Sequence, residues 1–181
     1  MAKEIRTDLP ISRFPSGWEG NLRLWVVDNI VVNESRTHIL LVYRSPGEIE
    51  GDKWALPGGY VEPDETVTGA AKKETEEEGG LPQKALGNIA LFRIVDNPNR
   101  RNERAQNISA VFVTVIDDET AFSQVQLQAA DPDGGTNEAR WWHRLDGLPE
   151  MAFDHREIIA EFTANPTVYP LDIFMSVARA N

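Results

Sequence analysis

The chain has 181 residues, no cysteine and a formal net charge of −11 at pH 7, with 41% hydrophobic and 26% charged residues. That length and balance predict a soluble chain with one ordinary packed core. The missing cysteines exclude disulfides, thiolate metal sites and cysteine nucleophiles, and the negative charge disfavours nucleic-acid polymers and anionic membranes as partners. A small phosphate ester stays open as a ligand, because divalent cations bridge phosphates to carboxylates.

The opening MAKEIRTDLP lacks the apolar core of a signal peptide, and the longest aliphatic-aromatic run, Ile39 to Tyr43, is too short to span a bilayer. A cytoplasmic location is the expectation. Residues 1–20, with Pro10, Pro15 and Gly17, read as an irregular N-terminal segment ahead of a single domain over 21–181. Leu22–Val32 and His38–Arg44 are rich in β-formers and flank Asn33-Glu34-Ser35, which predicts a hairpin. Ser45–Lys53 reads as a loop. Trp54-Ala55-Leu56 is a short apolar strand halted by Pro57-Gly58-Gly59.

A helix is predicted from about Thr66 to Glu78, capped by Asp64 or Thr66. Gly79-Gly80 supplies its left-handed stop and Pro82 blocks continuation. Strands follow at Ile89–Val95 and Ile108–Ile116, separated by a polar segment, Asp96–Asn107. Residues 117–137 form a long acidic connection, and Glu138–Arg144 reads as a further strand. Phe153-Asp154-His155-Arg156-Glu157-Ile158 predicts a second helix running to about Ala164. Asp154 is its cap, Glu157 lies three residues on, and Phe153 and Ile158 are placed as a staple. Pro166 and Pro170 then break the chain before a short amphipathic end. Strands mixed with helices in this order imply an α/β sandwich around a mixed sheet.

The first helix carries carboxylates on the wrong face. At about 100° per residue, Val67, Ala70, Ala71, Glu74, Glu77, Glu78 and Leu81 share a sector of roughly 120°. A face that begins Val-Ala-Ala and ends with Leu should meet the sheet, yet its middle is three glutamates at spacings of three and four. Partly dehydrated like charges repel one another, and a bound divalent cation removes the conflict. Oxygen-only donors favour Mg²⁺ or Mn²⁺ over zinc. The competing reading is a solvated acidic helix of the KKETEEE kind. Pro57-Gly58-Gly59 argues for the metal, because a turn without side chains lets backbone approach a cation or phosphate closely.

Gly59 to Leu81 resembles the Nudix box: a glycine, five residues, a glutamate, seven residues, then Arg-Glu-aliphatic-x-Glu-Glu-x-Gly-aliphatic. Gly59, Glu65, Glu74, Glu77, Glu78, Gly80 and Leu81 match it; Lys73 stands where the family has Arg, and Thr75 where it has an aliphatic residue. The resemblance implies a Nudix-type α/β/α sandwich with a mixed β-sheet, and metal-dependent hydrolysis of a pyrophosphate bond in a nucleoside diphosphate linked to another moiety. It implies Glu74, Glu77 and Glu78 as metal ligands aided by the Gly58 carbonyl, and Glu74 or Glu77 as general base. Glu65 and Lys73 are expected to pair and orient the helix, although lysine lacks the planar fork of arginine. Glu138, after the Asp131–Asn137 loop, is a further candidate for base or ligand, since several family members draw one from a loop at this place.

Arg93, Arg100, Arg101 and Arg104 cluster unusually for so acidic a chain, and guanidinium groups suit phosphates, so they are candidate substrate contacts. The three histidines, His38, His143 and His155, read as mainly structural. Trp54 and Phe92 can stack on a base but more often belong to a core. Pro98, 17 residues after Leu81, and the Phe153-Asp154-His155 run resemble features of the family's ADP-ribose hydrolases. ADP-ribose or a similar nucleotide sugar is therefore the expected substrate. Other Nudix substrates (nucleoside triphosphates, dinucleoside polyphosphates, NADH) and a non-catalytic ligand sensor are the alternatives. A homodimer is compatible with the resemblance.

Overall fold

The computed structural model describes residues 11–13, 15–17, 19–100, 105–123, 134–143, 147–165, 167 and 169–170. Alternation along the strands decides how the sheet is covered. In β3 (Arg23–Asn33), Val27 and Val31 join the clusters that contain Ala70, Ala71 and Leu81, whereas Ile30 and Val32 join the cluster that contains Ile158, Ile159 and Phe162. A period of two thus sends successive β3 residues to helices on opposite faces. These helices are α1 (Val67–Gly79) and α3 (His155–Ala164), and the layers form the expected α/β/α sandwich.

The main sheet runs β10 (Tyr169–Pro170), β7 (Ile89–Val95), β8 (Gln106–Ile116), β3, β4 (His38–Arg44) and β5 (Trp54–Ala55). β6 (Gly58–Tyr60) pairs with β3, and β9 (Thr136–His143) pairs with β4. β3 and β8 run parallel over their full length, from Arg23 opposite Gln106 to Asn33 opposite Ile116; the other pairs are antiparallel. The sheet is therefore mixed, as expected, and its central parallel pair is covered on both sides over 26–33 of β3, where every residue is buried, the polar Asp28 and Asn29 included. Trp54 and Phe92 are buried in the α3-side core.

The N-terminal expectation needs correction. Among the described residues of that segment, β1 (Ile11–Arg13) pairs antiparallel with β2 (Glu19–Asn21), with a turn at Pro15–Gly17. Gly17 supplies a φ of 77°, and an Arg13–Glu19 ion pair of 2.7 Å closes the ladder. The acidic connection contains a further short helix, α2 (Asp118–Ser123), and β9 begins two residues earlier than Glu138. The amphipathic end after Pro170 lies outside the described residues.

α1 forms where expected. The Thr66 hydroxyl accepts from Gly69 N–H at 3.1 Å, and Gly80 closes the helix in the left-handed region at φ 70°. Thr75, in place of an aliphatic residue, is explained by what faces it. Its hydroxyl donates to the Ala71 carbonyl at 2.7 Å and accepts from the Asn29 amide at 2.9 Å; Asn29 Oδ1 in turn accepts from Thr114 at 3.1 Å. All three side chains are buried. Thr75→Val keeps the shape but strands the Asn29 donor, so it should cost about 1–3 kcal/mol in urea unfolding. A loss below about 0.5 kcal/mol, the level of a neutral surface change, would count against this network.

Candidate active site

The site is built around two glycines. A Cβ on Gly58 would fall inside the Val27 carbonyl oxygen and 3.0 Å from Asp28 Cα. A Cβ on Gly59 would sit 2.7 Å from the Glu74 carboxyl carbon. Only backbone therefore fits between the Glu74 carboxylate of α1 and the β3 strand. Gly58 N–H also donates to Glu78 Oε2 at 2.9 Å, and Asn29 N–H donates to the Pro57 carbonyl at 2.9 Å. Glu78 is buried and Glu74 and Glu77 are half-buried, while Glu76 is exposed. The helix is thus acidic on its inward side, as its wheel predicts.

The two glycines separate two costs. Gly59→Ala meets the end of a flexible side chain, so it should fold nearly normally while displacing Glu74 and lowering turnover at least tenfold. Gly58→Ala meets backbone and should lose about 1–3 kcal/mol or more by overpacking. Thermal melts and steady-state rates on both variants check this contrast; equal loss of stability in the two would sink it.

Among the described residues, no group of three or more His, Asp or Glu side chains is gathered closely enough to hold a metal unaided. The donors at the turn still suit a hard divalent ion. They are all oxygen, two of the carboxylates lean on the glycine backbone, and such ions commonly complete their shell with water and substrate phosphate.

On the other side of the glycines opens a cavity of about 480 Å³, lined among others by Asp28, Arg44, Gly58, Arg100, Phe153 and His155. Its floor is a charged network. Asp28 Oδ1 faces His155 Nε2 at 3.2 Å; Asp28 Oδ2 accepts from Arg100 Nη2 at 3.2 Å and from the Ser109 hydroxyl. Arg100 grips Asp154 with two further bonds, of 2.8 and 3.0 Å. Burial by itself would raise the Asp28 pKa, but His155, Arg100 and Ser109 reverse that and hold the carboxyl well below the usual carboxylate range. Phe153 is 43% exposed, has a φ of 53°, and lies under the Arg44 guanidinium at 5.0 Å. A bulky residue in the left-handed region is uncommon and tends to mark a functional surface.

Several expectations change here. Asp154 does not cap α3 with its side chain, because that carboxylate is taken by Arg100. Phe153 does not join the core cluster of Ile158; it faces the cavity. Lys73 bonds Glu62 at 3.1 Å, and Glu65 instead accepts from Glu62 N–H at 2.9 Å. The Glu62 bond raises the Lys73 pKa, with Glu65 and Glu77 adding to the field. Arg93 pairs with Glu161 of α3, and Arg101 and Arg104 lie outside the described residues. Of the described arginines in this set, Arg100 lines the cavity; its Nε and Nη2 face Asp28 and Asp154, while its buried Nη1 has no hydrogen-bond partner among the described residues. Glu138 lies opposite Tyr43, and its neighbour on that face, Arg140, covers Trp54 and Trp142. Glu138 ion-pairs with this Arg140 on the α3 side of the sheet, while α1 packs on the other.

Asp28 and Arg44 were not foreseen. Asp28 had a signal, a lone carboxylate inside LWVVDNIVV, where burial demands partners. Arg44 had none, because its role depends on Phe153, far along the chain.

The model of the NUDIX domain matches residues 23–162. The chain belongs to the Nudix hydrolase family. It is 36% identical over 137 residues to an ADP-ribose pyrophosphatase of Methanocaldococcus jannaschii, covering 75% of this chain and 70% of that one. It is 28% identical over 130 residues to diphosphoinositol polyphosphate phosphohydrolase 2 of Rattus norvegicus, covering 72% and 63%. Its fold matches a crystal structure of a bifunctional NMN adenylyltransferase/ADP ribose pyrophosphatase from Francisella tularensis complexed with AMP and Mn ion. That match has a TM-score of 0.64 and 28% identity, and covers 79% of this chain and 42% of the bifunctional one. The Nudix box and the Gly58–Gly59 turn both fall inside the matched region. No helix among the described residues is long and apolar enough to cross a membrane.

Proposed function

We propose that this Nudix hydrolase cleaves the pyrophosphate bond of ADP-ribose or a similar nucleotide sugar with Mg²⁺ or Mn²⁺. The carrying observation is the two-glycine turn, with the carboxylates of α1 drawn to it and the cavity opening beside it. A pyrophosphate at the turn would meet the carboxylate-held cation, and the rest of the ligand would occupy the cavity.

Glu74, Glu77 and Glu78, with backbone oxygen at Gly58, are the groups that would hold the cation. When bound, the cation neutralises pyrophosphate charge and lowers the pKa of water. Glu78 is anchored by Gly58 N–H and keeps the helix registered on the turn. Glu74 and Glu77 are the candidates to take the proton of the attacking water. Phe153 offers an exposed ring face to a base, and Arg44 adds a cation over that ring.

The lining also weighs against a densely phosphorylated inositol. Asp28, Glu48, Glu50 and Asp154 outnumber Arg44 and Arg100 around the cavity. A polyphosphate there would meet like charge, whereas ribose hydroxyls would find acceptors. The M. jannaschii relative supports the same reading. The cysteine-free composition is consistent with a cytoplasmic location.

The test is a substrate panel assayed for AMP and phosphate release with Mg²⁺, with Mn²⁺ and with chelator. Its members are ADP-ribose, nucleotide sugars, NADH, dinucleoside polyphosphates, nucleoside triphosphates and diphosphoinositol polyphosphate. AMP and ribose 5-phosphate from ADP-ribose at the highest kcat/KM is the expected result, abolished by chelator. Preference for another class would overturn the substrate, and tight binding without turnover would indicate a sensor.

A further inference from the structure

His155 is fixed through both ring nitrogens, and neither contact belongs to the Nudix box. Nδ1 accepts from Leu56 N–H at 3.0 Å, so the ring proton of this tautomer sits on Nε2, which faces Asp28 Oδ1 at 3.2 Å. Leu56 immediately precedes Pro57-Gly58-Gly59. The turn is therefore tied at three successive residues: Leu56 N–H to His155, the Pro57 carbonyl to Asn29 N–H, and Gly58 N–H to Glu78. Two ties come from the sheet and α1, and the third reaches across from α3. His155 is itself immobilised: it is buried at 3% exposure, and Asp28 behind it is held by Ser109 and Arg100. Arg100 in turn is fixed by Asp154, which precedes His155 in the chain.

We infer that His155 is a positioning residue that sets the glycine turn for the metal site by accepting the Leu56 N–H, with Asp28 locking its tautomer. A carboxylate that fixes one ring nitrogen so that the other presents a defined lone pair is a familiar device behind metal ligands. Here the lone pair grips backbone in place of a metal. Its consequence is precision: glycines have no side chains to hold them, and Gly59 must sit close against Glu74 without displacing it. The inference rests on the reading that this turn and the α1 glutamates hold the cation.

Two substitutions separate the two ring contacts. Asn places Oδ1 near the Nδ1 position, so His155→Asn keeps an acceptor for Leu56 N–H and loses the donor to Asp28. Gln places Nε2 near the ring Nε2 position, so His155→Gln keeps the donor to Asp28 and loses the acceptor. The readout is Mn²⁺ binding to the full chain without substrate, followed by electron paramagnetic resonance, together with the kcat and KM split. His155→Asn is expected to bind Mn²⁺ within about threefold of the parent. His155→Gln should bind it at least tenfold more weakly and lose kcat more than it gains KM. Equal weakening in both, or none in either, overturns the inference. If neither variant folds, two-bond ¹H–¹⁵N spectra of the unmodified protein decide: a proton on Nε2 with Nδ1 free is expected, and a proton on Nδ1 overturns it. Failure of the parent itself to bind Mn²⁺ would overturn the metal reading instead, so the two failures are distinct.

Discussion

Glu77→Gln is expected to lower kcat on the best substrate by about 10³-fold, within the range associated with loss of a general acid–base group. The amide occupies the same volume but cannot ionise. It withdraws one negative charge from the inward side of α1 and removes one of two candidate bases. Folding should be untouched, because Glu77 is half-buried and sits mid-helix on a well-capped element. Unfolding in the absence of metal should be unchanged or slightly harder, since one repulsive neighbour of Glu74 is gone. Glu76→Gln is the matched control: it lies one residue away, is exposed, and its carboxylate bonds only the nearby Gln83 amide, at 2.9 Å, among the contacts described. That variant should turn over like the parent. If Glu77→Gln hydrolysed substrate at the parent rate, the assignment of α1 as the catalytic helix would be wrong.

The parts of this site that could be read from the sequence are those encoded locally. α1 announces itself by spacing, by Thr66 and by Gly80, and the clash of its carboxylates with its apolar face needs no structure to be seen. Gly58 and Gly59 follow from the same stretch. What failed were inferences about partners far along the chain. Asp154 looked like a helix cap because Asp before a helix usually is one, but Arg100, 54 residues earlier, outcompetes the helix amides with two charge-assisted bonds. The same pairing commits Nε and Nη2 of Arg100 to carboxylates and leaves Nη1 as its uncommitted donor. Glu138 reads as the first residue of a strand, next to a loop; with β9 starting at Thr136, it lies inside the strand and alternation commits it to the face away from α1. Thr75 looked like a defect of the motif and is a matched partner for Asn29. Asp154 and Thr75 are polar side chains whose meaning depends on a long-range partner, whereas the apolar pattern alone is sufficient for the central strands and for α1 and α3.

Asp28 carries a large expected stability effect for a polar side chain, since it is buried and bonded to three partners. Asp28→Ala should cost about 3–5 kcal/mol, the usual penalty for leaving buried charge partners uncompensated. It leaves Arg100 with Asp154 alone, and deprives both the His155 Nε2 proton and the Ser109 hydroxyl of their acceptor. Asp28→Asn keeps the shape and one carbonyl acceptor, so its cost at pH 7 should be clearly smaller. The two variants also differ from the parent in acid. The folded-state pKa of Asp28 lies below its unfolded value, so folding favours the ionised carboxylate. That contribution is complete above the unfolded pKa of about 3.9 and is lost as pH falls towards the folded pKa. The stability gap between parent and Asp28→Asn should therefore be constant from pH 7 to about pH 5 and shrink below about pH 4. Urea unfolding of both proteins at pH 7, 5 and 3 measures it. A gap that grew on acidification would reverse the sign and place the Asp28 carboxyl above its ordinary range, protonated beside His155. The lock on the glycine turn would then rest on a neutral acid and lack the charge that now binds Arg100, His155 and Ser109 into one unit.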